Sequence, residues 1–137
     1  MIKNKFMALT LTVVLTAGML TGCGSGDKAK DKDAYRQYGI NCIENGSYDD
    51  AVDAFQKALD QSVGSVGAEE LDICYYKAKA QYLSGDVDGA IDTYTAIIDY
   101  NKDSDAYYLR GCIYFAKNDS DKGLKDFKTC LLYTSDA

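Results

Sequence analysis

An internal repeat is the feature that most restricts how this chain can fold. Three segments share a small residue, an aromatic residue four positions after it, and a second small residue twelve positions before it. In the order upstream small residue, small residue and aromatic residue, the copies are Gly39, Ala51 and Phe55; Ala78, Ala90 and Tyr94; and Gly111, Gly123 and Phe127. The last two copies are 33 residues apart, whereas the first two are 39 apart because of the loop 61–68. This period predicts stacked helical hairpins, in which small residues let paired helices approach closely.

The pattern of the copies favours one family of helical repeats. The chain contains no proline, which together with its apolar periodicity favours uninterrupted helices. A helix–turn–helix unit of about 34 residues with these small and aromatic positions resembles the tetratricopeptide repeat. The resemblance covers residues 33–129 and implies an all-α fold, an α-solenoid of about three hairpins after an N-terminal signal helix and a flexible linker. The expected hairpins span about 32–60, 69–100 and 103–129. The Sel1-type repeat, which would also give an α-solenoid, is the alternative.

The starts of the second helices carry their own signals. Short polar residues occupy matching positions there, and we predict that they are N-caps: Ser47, Asp86 and Asp119. Two positions depart from the tetratricopeptide pattern, since Lys77 and Arg110 replace the apolar residue that usually precedes the upstream small residue. The proline that often closes a repeat is also missing, which leaves the length of the second helices open.

The N-terminal segment has the features of a bacterial lipoprotein signal peptide. Two lysines precede an apolar run from Phe6 to Leu20, which is shorter than a typical membrane-spanning helix. The run leads into LTGC, which resembles a lipobox ending at Cys23. The resemblance implies that residues 1–22 are removed and that Cys23 carries a lipid anchor. We therefore expect an extracytoplasmic protein attached to the cell membrane, or to the outer membrane if the host has one. An ordinary secretory signal with an incidental cysteine is the alternative.

Two flanking segments are not expected to belong to the repeats. Residues 23–32 are polar, contain glycine and alternate in charge, so we predict the lipidated cysteine followed by a flexible tether. Residues 130–137, CLLYTSDA, match the translation of a transposon-derived sequencing adapter. We therefore expect this tail to be non-native and the gene to continue after Thr129. A native helix end is the alternative, because the tail also fits the repeat register.

Composition argues against several classes of function. The chain has no histidine, which weakens the case for a general acid–base enzyme or a transition-metal site. Its net charge of -6 and its lack of clustered basic residues argue against nucleic-acid binding. We predict neither enzymatic activity nor a cofactor or metal. Cys42, Cys74 and Cys112 are expected to be small core residues, and the sequence leaves open whether Cys42 and Cys74 form a disulfide.

The resemblance also implies where a partner would bind. In a tetratricopeptide stack the first helix of each hairpin lines a concave groove, and its inward-facing positions here are Arg36, Gln37, Ile40, Tyr75, Tyr76, Lys79, Tyr82, Tyr108, Leu109, Cys112 and Phe115. Aromatic side chains with a few polar groups are typical of protein-binding hot spots. The paired Lys and Asn of the subgroup that clamps C-terminal carboxylates are missing. We therefore expect an extended or helical segment of a partner protein, and no small-molecule substrate. The alternative is that several of these tyrosines only pack between hairpins.

Together these features predict a membrane-anchored, extracytoplasmic adaptor for protein–protein interactions. It would hold a partner in the cell envelope near the membrane and so raise the partner's local concentration. One alternative is that the repeats are the N-terminal docking module of a longer envelope enzyme, truncated after Thr129. Another is a solute-binding lipoprotein, although so few repeats would enclose no pocket of the usual kind.

Overall fold

The computed structural model describes residues 25–62, 64 and 66–135. These residues form helices and short turns, and no strand occurs among them. In chain order the helices are α1 Ser25–Glu44, α2 Tyr48–Asp60, α3 Ala68–Ser84, α4 Val87–Asn101, α5 Ser104–Ala116 and α6 Ser120–Ser135. The predicted all-α architecture of three consecutive hairpins, α1–α2, α3–α4 and α5–α6, is confirmed.

The repeated small residues set how closely the two helices of a hairpin approach. A Cβ atom added at Gly39 would lie 2.7 Å from the ring of Phe55, and one added at Gly111 would lie 2.8 Å from the ring of Phe127. In the second hairpin Ala78 is fully buried and packs in one cluster with Tyr94. Each aromatic residue therefore fills the interior of its own hairpin beside a small residue, as the repeat pattern predicts.

Two apolar clusters hold successive hairpins together. The first lies among α1, α2 and α3, and its buried members are Cys42, Ala51, Phe55, Ala58, Ile73 and Ala80. The second lies among α3, α4 and α5, with Ala78, Ala90, Tyr94, Ile97, Ile98, Ala106 and Ile113 buried. The first helix of each later hairpin thus completes the core of the hairpin before it, as in a solenoid whose repeats contact their neighbours.

The cysteines follow this division. Cys42 packs in the first cluster, whereas Cys74 packs against the second. Both are free thiols in the structure, as are Cys112 and Cys130. A disulfide between Cys42 and Cys74 does not fit this arrangement, because the two side chains serve different cores.

Two of the three predicted N-caps make the expected hydrogen bond. Asp86 accepts from the backbone N–H of Gly89 at 3.0 Å, and Asp119 accepts from that of Lys122 at 3.3 Å. Ser47 occupies the N-cap position of α2, but its hydroxyl makes no capping hydrogen bond. Acidic residues in the first turn of α2 supply negative charge at the positive end of the helix dipole instead.

The flanking segments differ from the expected boundaries. Helix α1 begins at Ser25, inside the segment predicted as a flexible tether through Lys32. The physical reason is a tertiary contact, because the Lys32 ammonium lies 2.5 Å from Glu69 and 2.8 Å from Glu70 on α3. At the other end α6 continues to Ser135. A helix there does not test whether residues 130–137 are native, so their non-native origin stays a prediction.

The predicted signal peptide and Cys23 lie outside the described residues. Among the helices that the structure does describe, none is both long and apolar enough to span a membrane.

Candidate protein-binding cleft

A cleft of about 470 Å³ opens between the second and third hairpins. We call it the central cleft and define it by its lining residues, Asp72, Tyr75, Tyr76, Lys79, Tyr82, Tyr94, Leu109, Cys112 and Ile113. Its walls are mainly apolar and aromatic, and its two charged members lie on α3. A volume of this size with few polar groups is typical of sites that bind an apolar side chain of a ligand.

Helix α3 supplies one wall of the central cleft through its periodicity. Asp72, Tyr76, Lys79 and Tyr82 follow one another at three or four residues, so their side chains form a single stripe along the helix. Tyr82 at the end of this stripe is 41% exposed, which makes its ring accessible to a partner.

Helix α5 forms the opposite wall, and Tyr94 on α4 forms the floor. Leu109 and Ile113 are one turn apart on α5 and pack in the second apolar cluster with Tyr94. The ring of Tyr75 lies against that of Tyr94, with centroids 5.9 Å apart. Burial raises the pKa of Tyr94, so its phenol stays neutral at physiological pH.

Tyr75 connects the cleft to the start of α5. Its hydroxyl donates to Asp103 at 2.5 Å, and the same Asp103 oxygen accepts from the backbone N–H groups of Asp105 and Ala106 as the N-cap of α5. Burial, followed by this hydrogen bond, raises the pKa of Tyr75 far above its ordinary value. A neutral Tyr75 therefore fixes the two walls of the cleft relative to each other.

The two charged residues of the cleft, Asp72 and Lys79, differ in whether they already have a partner within the protein. Asp72 accepts a hydrogen bond from Arg36 Nε at 2.7 Å, which neutralises its carboxylate. The Arg36 guanidinium also lies 5.4 Å from the ring centroid of Tyr76. By contrast, the Lys79 ammonium makes no ion pair or hydrogen bond with any residue that the structure describes. The cleft therefore offers apolar surface together with one available positive charge.

Comparison with known proteins assigns the fold to a family. A model of the tetratricopeptide repeat matches residues 43–111, and a second model of the same repeat matches residues 104–136. The chain belongs to the tetratricopeptide repeat family. Its tetratricopeptide repeats support the role of a protein–protein interaction scaffold.

Solved structures with the same architecture are only distantly similar in sequence. The TPR domain of Arabidopsis FLU superposes with a TM-score of 0.65 at 18% identity, over 80% of this chain and 99% of that domain. The crystal structure of MamA superposes with a TM-score of 0.61 at 21% identity, over 73% of this chain. The chain spans 56% of the MamA chain. A search of curated proteins finds no match. At these identities the likeness shows the fold alone.

The structure places the predicted tetratricopeptide groove residues in two groups. Six of them line the central cleft: Tyr75, Tyr76, Lys79, Tyr82, Leu109 and Cys112. The other five lie outside it: Arg36, Gln37, Ile40, Tyr108 and Phe115. Their role in binding a partner stays a prediction.

Four residues of the second group have packing or hydrogen-bond contacts that explain their positions, and Arg36 pairs with Asp72. Gln37 bonds to Asn41 on its own helix, and Ile40 packs against the first apolar cluster. Tyr108 and Phe115 both pack on Phe127, with ring centroids 5.5 and 5.3 Å apart. These two aromatics therefore cover the interior of the third hairpin.

The sequence-based groove missed three residues that line the cleft. Asp72 lines the cleft because it lies one helical turn before Tyr76 on α3. Tyr94 lines it from a different helix, α4. Ile113 lines it one position after Cys112. The alignment of Tyr94 with Phe55 predicted that Tyr94 fills a hairpin interior, but not that it also lines a cleft.

A buried ion pair beside the cleft was also missed. Arg110 donates to both carboxylate oxygens of Asp126 at 2.8 Å, and it donates to the Thr95 hydroxyl at 2.8 Å. These contacts join α5 to α6 and to α4. The hydrogen bond to Asp126 raises the pKa of Arg110, so the guanidinium stays charged. The departure from the repeat pattern at Arg110 therefore supplies an ion pair within the third hairpin, and its hydrogen bond to Thr95 joins that hairpin to the second.

No group of three or more His, Cys, Asp or Glu side chains that could hold a metal ion occurs in the described part of the chain. The central cleft itself contains one thiol, that of Cys112, and one carboxylate, that of Asp72, which is paired with Arg36. Its chemistry suits the contact of apolar and aromatic side chains with a protein segment.

Proposed function

We propose that this protein is a lipid-anchored, extracytoplasmic adaptor that binds a segment of a partner protein in its central cleft. The observation that carries the proposal is the cleft itself, which combines about 470 Å³ of space with an aromatic lining. Aromatic residues in a concave, water-excluding site are enriched among residues that dominate binding energy. The membrane anchor rests on the lipobox-like residues that end at Cys23.

The proposed mechanism is positional. A diacylated cysteine would keep the solenoid at the membrane surface, since each buried methylene contributes about 0.8 kcal/mol to membrane attachment. A partner held in the cleft would then meet membrane-bound components at a higher effective concentration than it has in solution.

Binding is tested with partner capture from a cell-envelope extract. The full chain, its Tyr82→Ala variant and its Lys125→Ala variant serve as matched baits, since Tyr82 lines the cleft and Lys125 is exposed on α6. We expect Tyr82→Ala to lose proteins that the unchanged chain and Lys125→Ala retain. Identical capture by all three would remove the cleft from the proposal.

The anchor is tested independently by membrane fractionation and fatty-acid labelling of the full chain in a bacterial host. Cys23→Ser is expected to abolish labelling and to release the protein from the membrane fraction. Cys42→Ser is the matched control and should behave as the unchanged chain, because Cys42 is buried in the first cluster. Labelling that survives Cys23→Ser would overturn the anchor.

A further inference from the structure

We propose that the partner segment presents a single internal acidic side chain, flanked by apolar side chains, to Lys79 in the central cleft. This inference rests on the proposed function, because it concerns the chemistry of the segment bound there. It names a class of ligand, an apolar peptide stretch with one Asp or Glu in its middle.

The position of Lys79 within the cleft sets where the acid must lie. Lys79 is three residues after Tyr76 and three before Tyr82, so it stands about 4.5 Å along the α3 axis from each. Both tyrosines line the cleft on either side of it. A segment that contacts both rings therefore carries its charged group between its apolar contacts.

The availability of Lys79 distinguishes it from neighbouring basic residues. Lys77 donates to Gln56 at 2.6 Å, and Arg36 is engaged by Asp72. Lys79 has no such acceptor among the described residues. A carboxylate from a ligand would gain an ion pair there without breaking one within the protein.

The acid of the cleft does not compete for this role. Asp72 also lines the cleft, but Arg36 already neutralises it. Both Arg36 hydrogen bonds go to Oδ2 of Asp72, so a basic ligand residue would have to share this carboxylate with Arg36, and it would be repelled by Lys79. The charge of the cleft is thus complementary to a negative side chain.

The charge of the whole chain limits how acidic the segment can be. The net charge is -6, and acidic residues occupy the first turns of the second helices. A strongly acidic segment would be repelled over the Debye length of about 10 Å at moderate ionic strength. One acidic residue in an otherwise apolar stretch satisfies both the local attraction and this repulsion.

The first experiment selects ligands without assuming a partner. A phage-displayed library of random dodecapeptides is panned on the full chain after clones that bind the Tyr82→Ala variant have been removed. We expect enriched sequences to carry Asp or Glu between apolar residues. Panning on Lys79→Glu should shift that position to Lys or Arg, whereas panning on Lys125→Glu should leave it unchanged.

The second experiment measures the contribution of the charge. The most enriched peptide is synthesised with blocked termini and with Glu, Gln or Lys at the selected position, and its affinity is measured by fluorescence anisotropy. An exposed ion pair of this kind predicts that Glu→Gln weakens binding about threefold. With Lys79→Met the Glu and Gln peptides should bind equally. A version whose only carboxylate is its free C-terminus should bind no better than the Gln peptide.

The outcomes separate this inference from the proposed function. If enriched clones depend on Tyr82 but show no preference for an acidic residue, the cleft binds protein segments and the inference is wrong. Preference for a free C-terminal carboxylate would also overturn it. If no clone depends on Tyr82, the inference and the proposed cleft function fail together.

Discussion

The two junctions between successive hairpins use the same positions of the repeat but are filled differently. At the first junction, where α3 packs on α1 and α2, Tyr76 stacks on Phe55 with ring centroids 5.7 Å apart, and Arg36 lies over Tyr76. At the second junction, where α5 packs on α3 and α4, Leu109 takes the place of Tyr76 and Tyr75 takes that of Arg36. The first junction is therefore closed, and the second contains the central cleft.

The comparison shows that side chains at two repeat positions decide whether a junction can receive a ligand. A large ring and a bridging guanidinium fill the first junction and leave Phe55 without exposure. At the second junction the smaller Leu109 stands where Tyr76 stands at the first, and the Tyr75 hydroxyl bonds to Asp103 at the start of α5. The same backbone arrangement thus forms a structural interface at the first junction and a candidate binding site at the second.

The largest expected effect comes from removing the ring at the closed junction. Phe55→Ala leaves a cavity in a core that has no opening to water, and we expect it to lower the free energy of unfolding by about 3–5 kcal/mol. Tyr94→Ala should cost less, because the space it leaves joins an open cleft. Urea unfolding followed by circular dichroism measures both. Equal losses would show that the two junctions are packed alike and would break the comparison.

The second prediction concerns the basic residue at one repeat position, Lys77 in the second hairpin and Arg110 in the third. Lys77 contacts Gln56 across the first junction, whereas Arg110 pairs with Asp126 within its own hairpin and contacts Thr95 across the second junction. Arg110→Met leaves Asp126 buried without its partner, and we expect a loss of about 3 kcal/mol. Lys77→Met removes only an exposed contact with Gln56 and should change stability by less than about 0.5 kcal/mol.

The control for this prediction replaces both partners of the ion pair. Arg110→Met combined with Asp126→Leu should recover much of the stability lost by Arg110→Met alone, since two apolar groups leave no unpaired charge. A double variant as unstable as the single one would show that the loss comes from packing.

The sequence predicted the features that repeat. The small and aromatic positions, such as Gly39 with Phe55 and Gly111 with Phe127, define hairpin interiors that any member of the solenoid needs. The resemblance to the tetratricopeptide repeat also implied Tyr75 and Tyr82 as groove residues, and both line the central cleft.

The features that do not repeat could not be predicted in the same way. Arg110 finds Asp126 across sixteen residues, and Lys32 finds Glu70 across thirty-eight. Both pairs depend on how whole helices pack, which local sequence patterns do not show. The charged stretch before Lys32 has the composition of a tether, but α1 begins at Ser25 and the Lys32 ammonium pairs with Glu70 on α3.

The third prediction uses pH to weaken the first junction. Glu70 accepts hydrogen bonds from Lys32, from the backbone N–H of Gly67 and from Ser62. The Lys32 bond is the main cause that lowers the pKa of Glu70 to about 2 from an ordinary 4.5. Because the folded state holds the ionised form more strongly, this stabilisation is complete above pH 4.5 and is lost as the pH falls towards 2.

We expect Glu70→Gln to lower stability at neutral pH by about 1 kcal/mol after allowance for solvent screening, and by roughly half as much at pH 3. Urea midpoints at the two pH values measure the difference. Glu69→Gln is the matched control, since Glu69 also contacts Lys32 but is more exposed, and its effect should be smaller. A Glu70→Gln loss that is the same at both pH values would contradict the assigned pKa.

The smallest expected effect tests the charged bridge that closes the first junction. A double-mutant cycle of Arg36→Ala and Asp72→Ala should give a coupling energy of about 0.5–1 kcal/mol, because the pair is partly exposed. This coupling should fall as salt is added, since exposed charges are screened. At the second junction Tyr75→Phe removes the hydrogen bond to Asp103, and its effect should change less with salt because the tyrosine donor is neutral. If salt changed the stability effects at both junctions equally, the first junction would not be closed by electrostatic attraction. The ring stack of Tyr76 on Phe55 alone would then have to close it.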